Sequence, residues 1–225
     1  MLLIALQAAA LVGPWAAVLI ITAAWTGARW GELAGLQRFN LDLDAGELII
    51  DPDIGALHEV NGHFELGPPK TAESARTVSL PPFLVVLLRA HLESHNHSHV
   101  FITAEGELLR RSNFSRRAMR PAADGNLARV QPRVRVRPVK PDLTFHGLRH
   151  SQKTWLIADG LPEVAQALRL GHRIPDEMRQ VYSHVAPEVE VRLLEALQRR
   201  WVDAVTSLRA THSQALHAHL ALPAA

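Results

Sequence analysis

Apolar positions run almost unbroken from Met1 to Trp25, "MLLIALQAAALVGPWAAVLIITAAW", and the first basic residue is Arg29. A stretch of this length can cross a bilayer, yet Gly13-Pro14 divides it, and Pro14 suits the first turn of a new helix. A signal peptide would open on basic residues and close on a small-residue cleavage site, and neither pattern is present. The spacing therefore predicts two buried helices of a soluble core, at about 2–12 and 14–25, against the competing reading of a membrane anchor. A third helix is expected to begin near Arg29. Alternation follows: "NLDLDAGELIIDPD" turns at Ala45-Gly46, "LHEVNGHFEL" at Asn61-Gly62, and "ARTVSL" is rich in strand formers. These predict one small antiparallel sheet. "FLVVLLRAHLESH", after Pro81-Pro82, has helical length and apolar density. A basic region punctuated by proline and glycine comes next, and its alternating "RVRVRPVKP" predicts an edge strand or extended arm, because proline cannot donate to a central ladder. From Thr144 the pattern is helical again, through "FHGLRHSQKTWLIADG", "PEVAQALRLG" and "PEVEVRLLEALQRRWVDAVTSLRATHS". The expected fold class is mainly α with a small antiparallel β-sheet (α+β).

Composition narrows the choices. With 225 residues, 48% of them apolar, the chain has enough material for a packed core, so disordered and fibrous classes fall away. It has no cysteine, which excludes disulfides, thiolate zinc sites and a cysteine nucleophile and fits a reducing cytoplasm. The net charge of +2 hides an uneven distribution: Leu108 to Lys153 holds 12 basic residues against Asp124 and Asp142 alone. Of the 24 basic residues all but Lys70, Lys140 and Lys153 are arginine, whose planar fork suits phosphate oxygens. A polyanion is the partner this suggests, with a solvated basic face balanced by acidic neighbours as the alternative.

Four stretches hold residues that can carry chemistry: "TGARWGEL" with Arg29 and Glu32, "PPKTAESARTVSLP" with Lys70, "FHGLRHS" with His146 and Arg149, and "LGHRIPDEMRQVYSH" with His172 and Tyr182. Singly each has an ordinary explanation. A Gly-x-Arg-x-Gly-Glu run can start a helix, His-x-x-Arg can be a surface i,i+3 pair, Gly-His can end a helix, and Lys70 can be an exposed turn lysine. Glu32 can be a plain first-turn charge, and Tyr182, the chain's one tyrosine, can be a half-buried aromatic.

In this order, and with Tyr182 ten residues after His172, the four stretches resemble the tyrosine recombinases of the phage integrase type, over about residues 2–200. The resemblance implies that family's catalytic-domain fold and strand cleavage through a 3′-phosphotyrosine intermediate. Arg29 and Arg149 would clamp the non-bridging oxygens of the scissile phosphate, where negative charge builds up. His172 would donate a further hydrogen bond, and Tyr182 would be the nucleophile. A phenol with pKa near 10 needs a base and nearby cations, and His146 is the family's proton acceptor. Lys70 would protonate the departing 5′ oxygen, and Glu32 would support the site. DNA contacts are expected from Arg110, Arg111, Arg116, Arg117, Arg133, Arg135, Arg137 and Lys140. His150 and His184 are expected in packing or on DNA-proximal surface.

The resemblance implies no cofactor and no metal. His91, His95, His97 and His99 could in principle hold zinc, but no carboxylate-histidine box accompanies them, and a solvated helix end is the preferred reading. "GPPKTAES" lacks P-loop spacing, so ATP is not implied. The expected division is a catalytic domain over 1–200 and a C-terminal helix or tail over 201–225, without the family's N-terminal core-binding domain. Expected partners are double-stranded DNA and, on it, three further copies in a homotetramer joined by tail exchange, the chain being a monomer when free. Val202, Val205 and Leu208 motivate that docking role. No membrane is expected, and the location is cytoplasmic and nucleoid-associated. A type IB topoisomerase-like activity and a non-catalytic DNA-binding remnant are the alternatives.

Overall fold

The computed structural model describes residues 1–174 and 185–211. Helices α1 (Leu2–Val12) and α2 (Pro14–Thr26) pack against each other, joined by Gly13 at φ 117°, with Pro14 in the first turn of α2. Every α2 residue from Ala16 to Thr26 is buried. A helix apolar on all faces must be enclosed on all faces, and α1, α7 (Phe145–Ala158) and α4 (Pro82–Glu93) pack against it. Among the described residues no helix is long and apolar enough to cross a membrane.

The expected single sheet is two. Strands β1 (Leu41–Asp42), β2 (Glu47–Ile50) and β5 (Arg76–Ser79) form an antiparallel sheet in the order β1-β2-β5, with Leu48 opposite Val78 and both buried. Strands β3 (Ala56–Val60) and β4 (His63–Gly67) make a separate hairpin, whose turn places Asn61 at φ 50° and Gly62 at φ 82°. Two positive φ values in succession are what the tight hairpin turn of an Asn-Gly pair requires. The hairpin leaves the sheet because β3 lies against helix α3 (Trp30–Ala34) instead. Gly31 within α3 and Gly35 at its end permit it: a Cβ at Gly35 would stand 2.6 Å from the Leu57 backbone nitrogen.

The basic region was not expected to be helical, yet residues 111–124 form α5 (Arg111–Phe114), a π turn (Ser115–Met119) and α6 (Arg120–Asp124). Phe114, Ala118, Met119, Ala122 and Ala123 are its buried stripe. "RVRVRPVKP" forms no strand; it is an extended arm. Val136 is buried and Arg133, Arg135 and Arg137 point outward, while Asn126 bonds the Val134 carbonyl (2.8 Å) and the Val136 N–H (2.9 Å). Gln7 fixes the arm to α1 through both backbone groups of Arg137, at 2.9 and 3.0 Å.

Helix α7, α8 (Glu163–Leu170) and α9 (Pro187–Thr211) complete the fold. α9 runs unbroken through the expected boundary at residue 200. Trp201 stacks on Phe83 with centroids 4.2 Å apart and meets Trp25 edge-on at 5.7 Å. Val205 and Leu208 are buried in this same core, which accounts for their spacing; Val202 is exposed. The histidine stretch is also partly core: His91 is buried, stacks on Phe101 and shares a 2.8 Å hydrogen bond with the Val100 carbonyl. Among the described residues no cluster of histidines and carboxylates is arranged to hold a metal ion.

Candidate active site

Arg29 is placed by the sharp exit from α2. Gly27 ends that helix at φ 67°, and a side chain there would collide with Gln152 and Leu170. Arg29 then caps α3, where Glu32 reaches back to its N–H at 2.9 Å. The Arg29 guanidinium donates to Glu32 Oε1 (2.7 Å), Ser74 Oγ (2.8 Å) and the Gly171 carbonyl (3.3 Å). Arg149, on α7, is near enough to feel its charge. Only 5% exposed, it donates to the Gly27 carbonyl at 2.7 Å and to the Leu170 carbonyl. Its guanidinium thus fastens the end of α2 to the end of α8, while Arg29 ties the start of α3 to residue 171. Burial, then the charges of Arg29 and Arg76, push Arg149 down to about 10, which leaves it cationic at neutral pH.

His172 follows Gly171, whose left-handed backbone (φ 61°) stops α8, and its N–H closes on the Ala167 carbonyl at 2.9 Å. Burial lowers the His172 imidazole below its usual value, and Arg149, Lys153, Arg29 and Arg76 act in the same direction. His146 stands on the first turn of α7, capped by Thr144. It too is lowered by burial, then by His150, Arg149, Arg111 and Arg29. The two imidazoles are therefore neutral at pH 7, which for His146 is the form that accepts a proton.

Arg29, Glu32, His146, Lys70 and Arg111 line one open cleft of about 890 Å³. Lys70 reaches it from the loop between β4 and β5, where its side chain is exposed. Of the expected site residues, Arg29, Glu32, Lys70 and His146, from three segments of the chain, line this cleft; Arg149 is buried on the Gly27 and Leu170 carbonyls, and His172 lines a separate small cavity with Lys153 and Arg173. Tyr182 and His184 lie outside the described residues, as do residues 212–225 of the expected tail.

The expected DNA-contacting residues divide. Arg111 faces the cleft. Arg116, Arg117, Arg133, Arg135, Arg137 and Lys140 are exposed. Arg110 is engaged within the protein: it sits over the Phe64 ring at 4.5 Å and donates to the Gly62 carbonyl at 2.7 Å, clasping the β3–β4 hairpin to the start of α5. His150 is exposed beside His146, with ring centroids 4.6 Å apart. Two participants were missed in the sequence, Ser74 and Arg76. An arginine inside "ARTVSL" was the available signal, since a charged residue in a strand pattern needs a partner.

The profile of the Phage integrase family matches residues 6–188. The chain is 31% identical over 153 residues to a putative prophage phiRv2 integrase of Mycobacterium tuberculosis, covering 68% of this chain and 38% of that protein. It is 27% identical over 200 residues to a tyrosine recombinase XerC-like protein of Caldanaerobacter subterraneus subsp. tengcongensis, covering 80% and 48%. The chain therefore spans less than half the length of these relatives. Its fold is similar to that of the Tn1549 transposon integrase bound to a circular intermediate DNA, with a TM-score of 0.55, 17% identity, and 80% of this chain and 58% of that one covered. The XerA recombinase aligns with a TM-score of 0.51 at 18% identity, over 89% and 61% of the two chains.

Proposed function

The chain belongs to the phage integrase family, and we propose that it is the catalytic part of a site-specific recombinase that cuts and rejoins double-stranded DNA through a 3′-phosphotyrosine link. The observation that carries this is the gathering of Arg29, Lys70 and His146 on one open cleft, with Arg149 bonded to the Gly27 carbonyl two residues before Arg29 and His172 close enough to feel both guanidinium charges. A phosphodiester seated there meets guanidinium groups already fixed by protein carbonyls, so little reorganisation accompanies the build-up of charge on its oxygens. Tyr182 attacks phosphorus, its phenolic proton passing to His146. The P–O5′ bond breaks as the tyrosyl P–O bond forms, and Lys70 protonates the departing oxygen. Attack by another strand's 5′-hydroxyl reverses the step, so bond energy is conserved without a nucleotide cofactor. Exchange between two duplexes cuts four strands, which calls for four copies of the site.

The test is a pool of random-core duplexes, each nicked in one strand so that the short leaving fragment diffuses away. The expected product is a covalent protein–DNA adduct that survives detergent and is absent with Tyr182→Phe. Failure of the wild-type chain to form it would leave the DNA-binding remnant as the better reading. Plasmid relaxation without strand exchange would point to the topoisomerase.

A further inference from the structure

Arg76 has no part in the reaction just described, yet it bonds two of the three residues that hold Arg29 and lies beside the third. Its Nη2 donates to Glu32 Oε2 at 3.0 Å, its Nη1 to the Ser74 carbonyl at 2.6 Å, and its Nε to the Arg169 carbonyl at 2.8 Å. Arg29 takes the other oxygen of the same carboxylate and the hydroxyl of the same serine. Its third partner, the Gly171 carbonyl, lies two residues beyond Arg169, and a Cβ on Gly171 would stand 3.0 Å from Arg76 Nη1. The Arg76 side chain is 6% exposed and that of Glu32 2%, so this arginine is spent inside the protein and presents little to DNA.

We propose that Arg76 is a positioning residue for strand cleavage: by joining Glu32, the Ser74 carbonyl and the Arg169 carbonyl through one guanidinium, it sets where Arg29 presents its own to the cleft. The proposal rests on the phosphoryl-transfer reading above. Three donors on a rigid planar fork fix three segments relative to one another, namely α3, the loop before β5 and the end of α8. A lysine at this position keeps the charge but is a single point that cannot span all three. The carboxylate depends on it as well. Burial pushes the Glu32 carboxyl up, and the Arg76 charge, with hydrogen bonds from Arg76 and Arg29, outweighs burial and holds it below the usual range. The charged groups facing Glu32 are Arg29 on α3, Arg76 on β5 and Arg149 on α7. With Arg76 gone, Glu32 protonates more readily as pH falls, and Arg29 loses its ionic partner.

The experiment compares the wild-type chain with Arg76→Lys, Glu32→Gln and the double variant. It reads the single-turnover rate of adduct formation at saturating DNA on the nicked duplex pool, DNA affinity by anisotropy, and thermal melting. Arg76→Lys is expected to fold and to bind DNA within about twofold, yet to lose roughly 10- to 100-fold in rate, as a displacement of about 1 Å at a reacting centre does. In the Glu32→Gln background the lysine substitution should cost little more, because both act through one carboxylate. A wild-type rate with Arg76→Lys overturns the proposal, as does a double variant whose losses simply multiply. Failure of Arg76→Lys to fold, or a rate loss that tracks lost folded protein, assigns Arg76 to the fold alone and also overturns it. Absence of adduct with the wild-type chain is a different result, and it removes the parent reading together with this one.

Discussion

Glu32 shows how far a single residue's role depends on its surroundings. In sequence it is a carboxylate in the first turn of a helix, where a solvated charge favoured by the helix dipole is the ordinary expectation. In the structure it is buried between two guanidinium groups, at 2.7 and 3.0 Å. A buried charge stripped of either partner is far more costly than an exposed one, so its identity is set by Arg29 and Arg76 together. His146 is the residue whose chemistry is most open to titration. Its folded pKa lies below the ordinary value near 6.5 because burial and four cationic or imidazole neighbours disfavour the charged form. The neutral, proton-accepting form therefore persists as pH is lowered to 6.5, and it is lost only as pH falls through the depressed value. The second-order rate of adduct formation at limiting DNA, which reports the free protein, should fall on acidification with its half-maximal point below 6.5. A half-maximal point above 6.5 would contradict this. Arg29, His146, Arg149 and His172 could be singled out in sequence because the proposed chemistry restricts residue type. Arg76 could not, because two of its three partners, Glu32 and the Arg169 carbonyl, lie 44 and 93 positions away.

At the scale of elements, hydrophobic period decided most of what could be read. α1, α2, α4, α7 and α8 lie where apolar runs and breakers placed them, and the Asn61-Gly62 hairpin follows from the two positive φ values its turn demands. The helical segment 111–124 was hidden because its outward positions are arginine-rich, although Phe114, Ala118 and Ala122 recur at helical spacing. Splitting of the sheet could not be foreseen, since it depends on α3 offering a glycine surface to β3. Helix α9 carries the element-level prediction. Trp201 is its anchor against Phe83 and Trp25, and the Trp25 indole N–H in turn bonds the Leu197 carbonyl of the same helix at 3.0 Å. Trp201→Ala should cost about 3–5 kcal/mol of unfolding free energy, the usual range for truncating a buried tryptophan, measured by urea denaturation. A loss under about 1 kcal/mol, on the same scale as a surface change, would show that α9 is not held by this cluster.

For the whole molecule, basic charge is concentrated along the chain, with 12 basic residues against two acidic ones between Leu108 and Lys153, although Glu105 and Glu107 line the same cavity as Arg117 and Arg133. If the exposed arginines lie along phosphates, removing one arginine–phosphate pair should reduce the slope of log affinity against log salt by about 0.9. Replacing Arg133, Arg135 and Arg137 together with alanine should therefore lower that slope by between one and three such steps in a fluorescence titration. Arg110→Ala should leave the slope unchanged, since its guanidinium is committed to Phe64 and Gly62. Equal effects of the two variants would show that the division of the basic residues is wrong. The sequence by itself determined the helical periods, the hairpin turn, the concentration of basic charge and the order of residue types that strand cleavage requires, all consequences of local spacing and of reaction chemistry. Tertiary structure alone decided which arginines face the cleft and which are consumed as braces, that the hairpin leaves the sheet, and that α9 belongs to the core. Those outcomes turn on which carbonyls, rings and carboxylates come within about 3–5 Å of a side chain, and that is fixed only when distant segments pack together.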